Sequence, residues 1–219
     1  MVSPPGDHDK EVGPSRVRDL PPPRRNESAA GGAVQRVLAW PFRAILAFLL
    51  WTGIRPYQLT LLSLLLTVLS GWRILSGDWL VAGVLLLFAG LCDVFDGSVA
   101  RHRGEAKRSG AFMDSVLDRV ADMILFSCLF WALAARASAW QAALALVTLI
   151  VSLSVSHIRA EAEAAGVKLS EGLFQRLERF LALLAGLMIP GAMPVVLIVL
   201  ATLGAITVLQ RGFSALTQA

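Results

Sequence analysis

The amino-acid sequence predicts an all-α integral membrane protein with six transmembrane helices and an N-terminal amphipathic helix at the membrane interface. The chain has 219 residues, of which 56% are hydrophobic, and its mean hydropathy is +0.65. Apolar runs near the length of a bilayer span recur from residue 57 to the C-terminus, and only several membrane-spanning helices fit that pattern. We predict spans over residues 57–76, 78–98, 110–135, 138–160, 173–190 and 193–212.

The region before the first span differs from the spans in composition. Residues 1–31 contain six prolines, mixed charges and almost no large apolar side chain, which predicts a disordered cytoplasmic tail ahead of a membrane domain over residues 32–219. Residues 33–52 carry apolar side chains on one helical face and polar ones on another, which is typical of an amphipathic helix in the cytoplasmic interface. A seventh span is the alternative, but it would place Arg36 and Arg43 at an unfavourable depth.

The distribution of basic residues predicts the orientation in the membrane. Seventeen of the 20 lysines and arginines lie before the first span, after the second, between the fourth and fifth, or at the end of the sixth. Arg73 and Arg136 lie on the other side. By the positive-inside rule, both termini and the loop after the second span face the cytoplasm, and we expect a multi-pass protein of the cell (plasma) membrane. Basic residues beside anionic lipid also account for the pI of about 9.7, so no nucleic-acid partner is needed.

Four aspartates at the ends of apolar segments are the strongest functional signal in the chain. Asp93 and Asp96 are three residues apart and Asp114 and Asp118 are four apart, so each pair shares one face of a helix. If the short basic loop between the two helices lets them pack antiparallel, the four carboxylates converge. Four like charges at the membrane edge repel each other and are costly to desolvate, and a hard divalent cation such as Mg²⁺ or Mn²⁺ relieves that cost.

The same segment resembles the signature of a known family of membrane enzymes. The matching positions are Asp93, Asp96, Gly97, Ala100, Arg101, Gly110, Asp114 and Asp118. At these positions the chain resembles the CDP-alcohol phosphatidyltransferases. The resemblance implies transfer of a phosphatidyl group from a CDP-linked lipid, typically CDP-diacylglycerol, to a small alcohol with release of CMP. It also implies two divalent ions between the carboxylates and the diphosphate, and a homodimer.

The resemblance assigns roles to the four aspartates. Asp93, Asp96 and Asp114 correspond to the principal metal ligands of the family. Asp118 corresponds to the general base, which takes the proton of the attacking hydroxyl group, and it also contacts the second metal ion.

A further set of residues corresponds to the family's contacts with the CDP-lipid. The expected contacts are Thr60, Gly97, Ala100, Arg101, Lys107 and Gly110. Gly97 lets a phosphate or the cytidine approach the backbone closely, and Arg101 offers a fork of N–H donors to the diphosphate. Core packing is the alternative role for Ala100, and a simple helix start is the alternative for Thr60. Family members often carry asparagine where this chain has Tyr57.

A second pattern concerns the acceptor alcohol. The segments over residues 156–163 and 175–179 and the end of the sixth span resemble phosphatidylinositol-phosphate synthases, which condense a CDP-lipid with inositol 1-phosphate. This resemblance implies an acceptor-phosphate site made of Ser156, Arg159, Arg176, Arg179 and Arg211. Glu161 stands where those synthases usually carry an arginine, and pairing of Glu161 with Arg159 or Arg179 would favour another acceptor such as glycerol 3-phosphate. A solvated charged face is the remaining alternative for this set.

A cation transporter with the aspartates as its transport site is the hypothesis from another functional class. It predicts broken spans and carboxylates near the bilayer midplane. The aspartates instead lie near a predicted cytoplasmic end beside Arg101, which would repel a transported cation. The sequence therefore favours the transferase.

Overall fold

The computed structural model describes residues 31–105, 108–136, 139–166 and 176–218, and these residues form seven α-helices. The helices are α1 (Gly31–Trp51), α2 (Pro56–Ser76), α3 (Trp79–His102), α4 (Arg108–Arg136), α5 (Ala139–Ala164), α6 (Arg176–Met188) and α7 (Met193–Gln218). Since no strand occurs in these ranges, the predicted all-α class is confirmed. The predicted tail of residues 1–31 lies outside the described residues apart from Gly31, with which α1 begins.

Four of the helices are long and apolar enough to cross a membrane. They are α2, α3, α5 and the segment Met193–Ala215 of α7. This agrees with a multi-pass membrane protein. The other predicted spans fall on α4, which has 29 residues and a more polar first half, and on α6, of which 13 residues are described.

The hairpin of α2 and α3 begins and ends at residues suited to those positions. Pro56 opens α2, where its missing N–H leaves no hydrogen bond unmade. The N–H of Arg55 donates a hydrogen bond to Oε1 of Gln58 at 2.9 Å, which further stabilises this end. Gly77 closes the helix at φ +89°, a left-handed conformation that glycine adopts without strain, and its N–H donates to the carbonyl of Ile74.

Short polar side chains hold α2 and α3 together. The hydroxyl of Ser63 donates to the carbonyl of Ala89 at 2.9 Å, and the hydroxyl of Ser70 donates to the carbonyl of Ala82 at 2.8 Å. Small residues and side-chain hydrogen bonds of this kind replace the hydrophobic driving force that is missing between helices in lipid. The end of α3 that carries the first two aspartates is therefore fixed against α2.

Two apolar clusters complete the fold. The larger one contains residues from each of the six helices α2 through α7. At its centre lie Leu86, Phe126, Leu129, Leu197 and Leu200. The smaller one joins α1, α2 and α3 through Leu46, Leu59, Phe95 and Val99. In that cluster Phe42 of α1 stacks on Phe95 with ring centroids 5.0 Å apart, directly beside the second aspartate of α3. The smaller cluster thus supports the polar end of the helix hairpin.

Glycines of α3 allow α6 to approach closely. A Cβ atom at Gly83 would lie 2.8 Å from Cγ of Met188, and one at Gly90 would lie 2.3 Å from Cζ of Phe180. The two glycines are seven residues apart, so they occupy one face of α3. This contact determines how far the arginines at the start of α6 lie from the aspartates of α3.

Gly90→Ala tests the contact between α3 and α6. The added methyl group overlaps the ring of Phe180, and overpacking of this kind destabilises a core by about 1–3 kcal/mol. We therefore expect a lower thermal unfolding midpoint in detergent. Gly212→Ala in α7 is the matched control, because no atom lies within 4 Å of the added Cβ, and it should unfold at the wild-type temperature or above. Equal midpoints for Gly90→Ala and the control would contradict the close contact.

Candidate active site

Three carboxylates meet at one end of the helices. Asp93 lies near the end of α3, and Asp114 and Asp118 lie one turn apart in the first half of α4. Each offers one oxygen atom, and these three oxygens lie within 4.8 Å of one another. The side chains of Asp93 and Asp118 are each 22% exposed. Three of the four predicted aspartates therefore converge in a partly buried position.

The helices that carry these aspartates do not meet in the predicted way. Within the described residues, α3 packs against α1, α2 and α6, while α4 packs against α2 and α5. The sequence made convergence conditional on antiparallel packing of the two aspartate helices, and in the described residues both of them pack against α2 and not closely against each other. The carboxylates of Asp93 on α3 and of Asp114 and Asp118 on α4 nevertheless converge.

Asp96 lies beside the three-oxygen group. It is 8% exposed, and its Oδ2 accepts a hydrogen bond of 2.6 Å from Oγ1 of Thr60 in α2. Its charge interacts electrostatically with those of Asp93 and Asp114. Contact of Thr60 with the CDP-lipid stays a prediction; in the structure the Thr60 hydroxyl donates to this carboxylate. This hydrogen bond from Thr60 fixes the orientation of the Asp96 carboxylate.

The donor set fits a divalent metal ion. Carboxylate oxygens are the ligands that Mg²⁺ and Mn²⁺ prefer, and the set provides one oxygen from each of Asp93, Asp114 and Asp118. Like charges at this separation and burial repel each other, and a cation bound among them would relieve that repulsion. The residues therefore fit a divalent metal site.

Arg176 contacts the same carboxylates. Its Nη1 lies 3.2 Å from Oδ2 of Asp93, and its Nη2 pairs with Oδ1 of Asp118. The sequence placed Arg176 at the edge of the acceptor-phosphate site, which stays a prediction, and in the structure its guanidinium group pairs with two of the aspartates. Its guanidinium group partly neutralises two of the three candidate metal ligands.

The other predicted arginines form a second group beside the carboxylates. Arg179 is 11% exposed, and its Nη2 lies 3.5 Å from Oδ2 of Asp122. Arg211 is 7% exposed, and its Nη1 donates to the carbonyl of Val155 at 3.4 Å. Arg159 and Arg179 lie near enough to Arg211 for their charges to interact with it. The structure thus brings together the three arginines that the sequence singled out first.

The acidic residues near this group pair differently from the prediction. Nε of Arg159 lies 2.8 Å from Oε1 of Glu163, one helical turn away. Glu161 lies 3.9 Å from Nδ1 of His157 and pairs with neither Arg159 nor Arg179. The expected pairing of Glu161 with those arginines is therefore wrong.

Three of the six predicted CDP-lipid contacts, Gly97, Ala100 and Arg101, lie at the end of α3. An added Cβ at Gly97 would lie 3.2 Å from Nη1 of Arg101, so the guanidinium group lies over the glycine. Ala100 is half-buried on the same helix, and Gly110 is exposed near the start of α4. Lys107 lies outside the described residues. Gly97, Ala100 and Arg101 thus share one end of α3 with the aspartates.

Three polar residues at the site were missed from the sequence. Asp122 accepts a hydrogen bond of 2.6 Å from Oγ of Ser152. Nη2 of Arg119 donates to the carbonyl of Ser156 at 3.2 Å, which ties α4 to α5. Both Asp122 and Arg119 lie inside a predicted span, where an ionisable residue indicates a functional position by default. Asp122 also continues the four-residue spacing that starts at Asp114.

The comparison with known proteins agrees with this geometry. The sequence profile of the CDP-alcohol phosphatidyltransferase family matches residues 54–210, which is more than half of the chain. The protein therefore belongs to the CDP-alcohol phosphatidyltransferase family, and it is an enzyme of that class. The resemblance inferred from the aspartate spacing is confirmed.

Two relatives and one crystallised enzyme indicate which members of the family this chain is similar to. Archaetidylinositol phosphate synthase of Methanothermobacter thermautotrophicus is 37% identical over 62% of this chain and 70% of its own length. Phosphatidylinositol phosphate synthase of Corynebacterium glutamicum is 37% identical over 72% and 76%. The Mycobacterium tuberculosis phosphatidylinositol phosphate synthase with CDP-DAG bound gives a TM-score of 0.71 at 30% identity, covering 78% of this chain and 92% of that one. Its complex with manganese and citrate gives 0.72 at 29%, covering 80% and 88%.

Arg176→Gln tests whether the Arg176 guanidinium group and a divalent ion compete for the same carboxylates. Arg176 competes with a divalent ion for Asp93 and Asp118, so its removal should tighten Mn²⁺ binding about tenfold, on the scale of one charge-assisted pair. Mn²⁺ affinity is measured on the purified protein by electron paramagnetic resonance. Arg103→Gln removes the same charge from a side chain that contacts the carbonyl of Gly53, and it should bind Mn²⁺ as the wild type does. Weaker or equal Mn²⁺ binding by Arg176→Gln would contradict the competition.

Proposed function

We propose that the protein transfers a phosphatidyl group from CDP-DAG to inositol 1-phosphate and releases CMP. The observation that carries this proposal is the group of Arg159, Arg179 and Arg211 beside the carboxylates. Three cations at one site suit an acceptor that itself carries a phosphate, and a neutral polyol would not need them. The similarity to an archaetidylinositol phosphate synthase and to a phosphatidylinositol phosphate synthase supports the same acceptor.

A buried donor on Arg179 supports an anionic ligand. Among the described residues, no atom accepts a hydrogen bond from Nε of Arg179, although that nitrogen is buried. A buried donor without a partner costs about 1–3 kcal/mol, so such groups are rare unless a ligand or water completes them. A phosphate oxygen of the acceptor would satisfy this donor.

The membrane arrangement follows from the same proposal. The polar carboxylate and arginine groups would lie at the cytoplasmic end of six spans, with α4 and α6 crossing the bilayer in addition to the four apolar helices. The short apolar part of α1, Pro41–Trp51, would lie in the cytoplasmic interface. Both termini would then face the cytoplasm, with the membrane domain over residues 32–219 and the family's homodimer as the assembly.

Two divalent ions, Mg²⁺ or Mn²⁺, would be held by the four aspartates Asp93, Asp96, Asp114 and Asp118. The manganese complex of the related M. tuberculosis enzyme supports this choice of cation. When bound, such ions neutralise the diphosphate and the negative charge that develops on the departing CMP.

The protein's own residues supply the base and the orientation. The hydroxyl oxygen of the acceptor forms a bond to the lipid-side phosphorus, and the bond from that phosphorus to the bridging oxygen breaks, with that oxygen leaving on CMP. The carboxylate of Asp118 takes the proton of the attacking hydroxyl. Arg101 and the backbone at Gly97 bind the diphosphate and nucleotide, because both lie at the end of α3 next to the aspartates.

A CMP-release assay tests the reaction and its acceptor. With purified protein in detergent, CDP-DAG and Mg²⁺ or Mn²⁺, inositol 1-phosphate should release CMP and form a phosphorylated inositol lipid, whereas inositol and serine should not. Asp118→Asn should lower the rate by about 10²–10⁴-fold, the usual contribution of a general base. Asp78→Asn is the matched control, since Asp78 pairs with Arg73 at the turn between α2 and α3, and it should keep full activity.

The other acceptors give the contrary outcomes. CMP release with glycerol 3-phosphate alone would show that the acceptor is glycerol 3-phosphate and not inositol 1-phosphate. The acceptor would still be a phosphorylated alcohol. Turnover with free inositol at the same rate would contradict the role of the arginine group. No release with any acceptor, in protein that still binds CDP-DAG, would contradict the proposed reaction.

A further inference from the structure

One carboxylate oxygen joins three helices next to the acceptor arginines. Oδ2 of Asp122 in α4 accepts the hydrogen bond from Oγ of Ser152 in α5 at 2.6 Å, and it lies 3.5 Å from Nη2 of Arg179 in α6. Ser152 is 1% exposed. The Asp122 side chain is 27% exposed. Because the buried Ser152 hydroxyl has no water as an alternative partner, its hydrogen bond holds the Asp122 carboxylate toward α5.

The contact belongs to a register between α4 and α6. Asp118 and Asp122 are four residues apart on one face of α4, and Arg176 and Arg179 are three apart on one face of α6. Arg176 pairs with Asp118, and Arg179 pairs with Asp122 in the same order along the helices. The two ion pairs therefore form successive rungs between the helices.

These rungs join two helices that do not pack closely against each other in the described residues. In the described part of the chain, α4 packs against α2 and α5, and α6 packs against α3 and α7, with no close backbone approach between α4 and α6. No close backbone approach between α4 and α6 fixes the Arg179 side chain, so its ion pair with Asp122 holds the guanidinium group toward α4. Nη2 of Arg179 faces Asp122, which holds that end of the guanidinium group. Nε has no hydrogen-bond acceptor among the described residues, so it can donate to a ligand.

We propose that Asp122, held by Ser152, is a positioning residue that orients Arg179 for the phosphate of the acceptor. This inference rests on the proposed function, because Arg179 is taken as an acceptor ligand there. Asp122 acts through Arg179 and does not touch the reacting atoms. Its loss should therefore weaken capture of the acceptor and leave the rate of the bound complex and the binding of CDP-DAG and Mn²⁺ unchanged.

Asp122→Asn tests this role while keeping an oxygen that can accept from Ser152. We expect the KM for inositol 1-phosphate to rise about tenfold, the effect of losing one charge-assisted contact, with kcat within about twofold of the wild type. Ser152→Ala leaves the charge and removes the orienting hydrogen bond, so its KM should rise by about threefold. Thr148→Val is the matched control, because Thr148 is equally buried one turn away on α5 and its hydroxyl donates to the carbonyl of Leu144. Its KM should not change.

A double-mutant cycle separates positioning from general packing. If Asp122 acts through Arg179, the KM of the double variant Asp122→Asn/Arg179→Gln should equal that of Arg179→Gln alone. Additive effects, or a KM in Asp122→Asn that is unchanged or lower, would overturn the inference. Should Asp122→Asn fail to fold, the comparison of Ser152→Ala with Thr148→Val decides by the same criterion. Absence of wild-type turnover with inositol 1-phosphate would instead contradict the proposed function itself.

Discussion

Repulsion between partly buried carboxylates is the interaction on which the rest of the site depends. Asp93, Asp114 and Asp118 present oxygens within 4.8 Å of one another at the end of apolar helices, where water screens their charges poorly. Such a group is stable only with cations beside it. Arg176 supplies one positive charge in this structure, and the donor set is suited to divalent ions that neutralise the group more completely.

The helix packing places these carboxylates on two helices that, in the described part of the chain, do not pack closely against each other. Neither α3 nor α6 packs directly against α4 among the described residues, and the contacts that hold the helices lie elsewhere. Serine hydroxyls fix α3 to α2, and Gly83 and Gly90 let α6 lie close to α3. Because these contacts are made by small residues, they let the helices approach closely and bring their polar ends together. A substrate with a diphosphate and an acceptor with a phosphate then meet cations and carboxylates held on separate helices.

The local part of this arrangement could be predicted from the sequence, and the long-range part could not. The spacing of Asp114 and Asp118 places both on one face of a helix whatever the fold, so their convergence followed from helix geometry. One of the two partners of Arg176, Asp93, is 83 residues away in sequence, and that contact is set by how α6 lies against α3. Helix periodicity carries no information about that packing. Asp122 was missed for a similar reason, since its partners Ser152 and Arg179 come from two other helices.

The most direct test of the account is the position of manganese in a crystal of this protein. Diffraction data collected above the manganese absorption edge would give an anomalous difference map for crystals grown with Mn²⁺. The account predicts the strongest peak among the carboxylate oxygens of Asp93, Asp114 and Asp118, with Arg176 moved away from at least one of them. A map with no peak at these oxygens, or with its strongest peak on residues elsewhere, would contradict the claim that this carboxylate group is the metal centre of the enzyme.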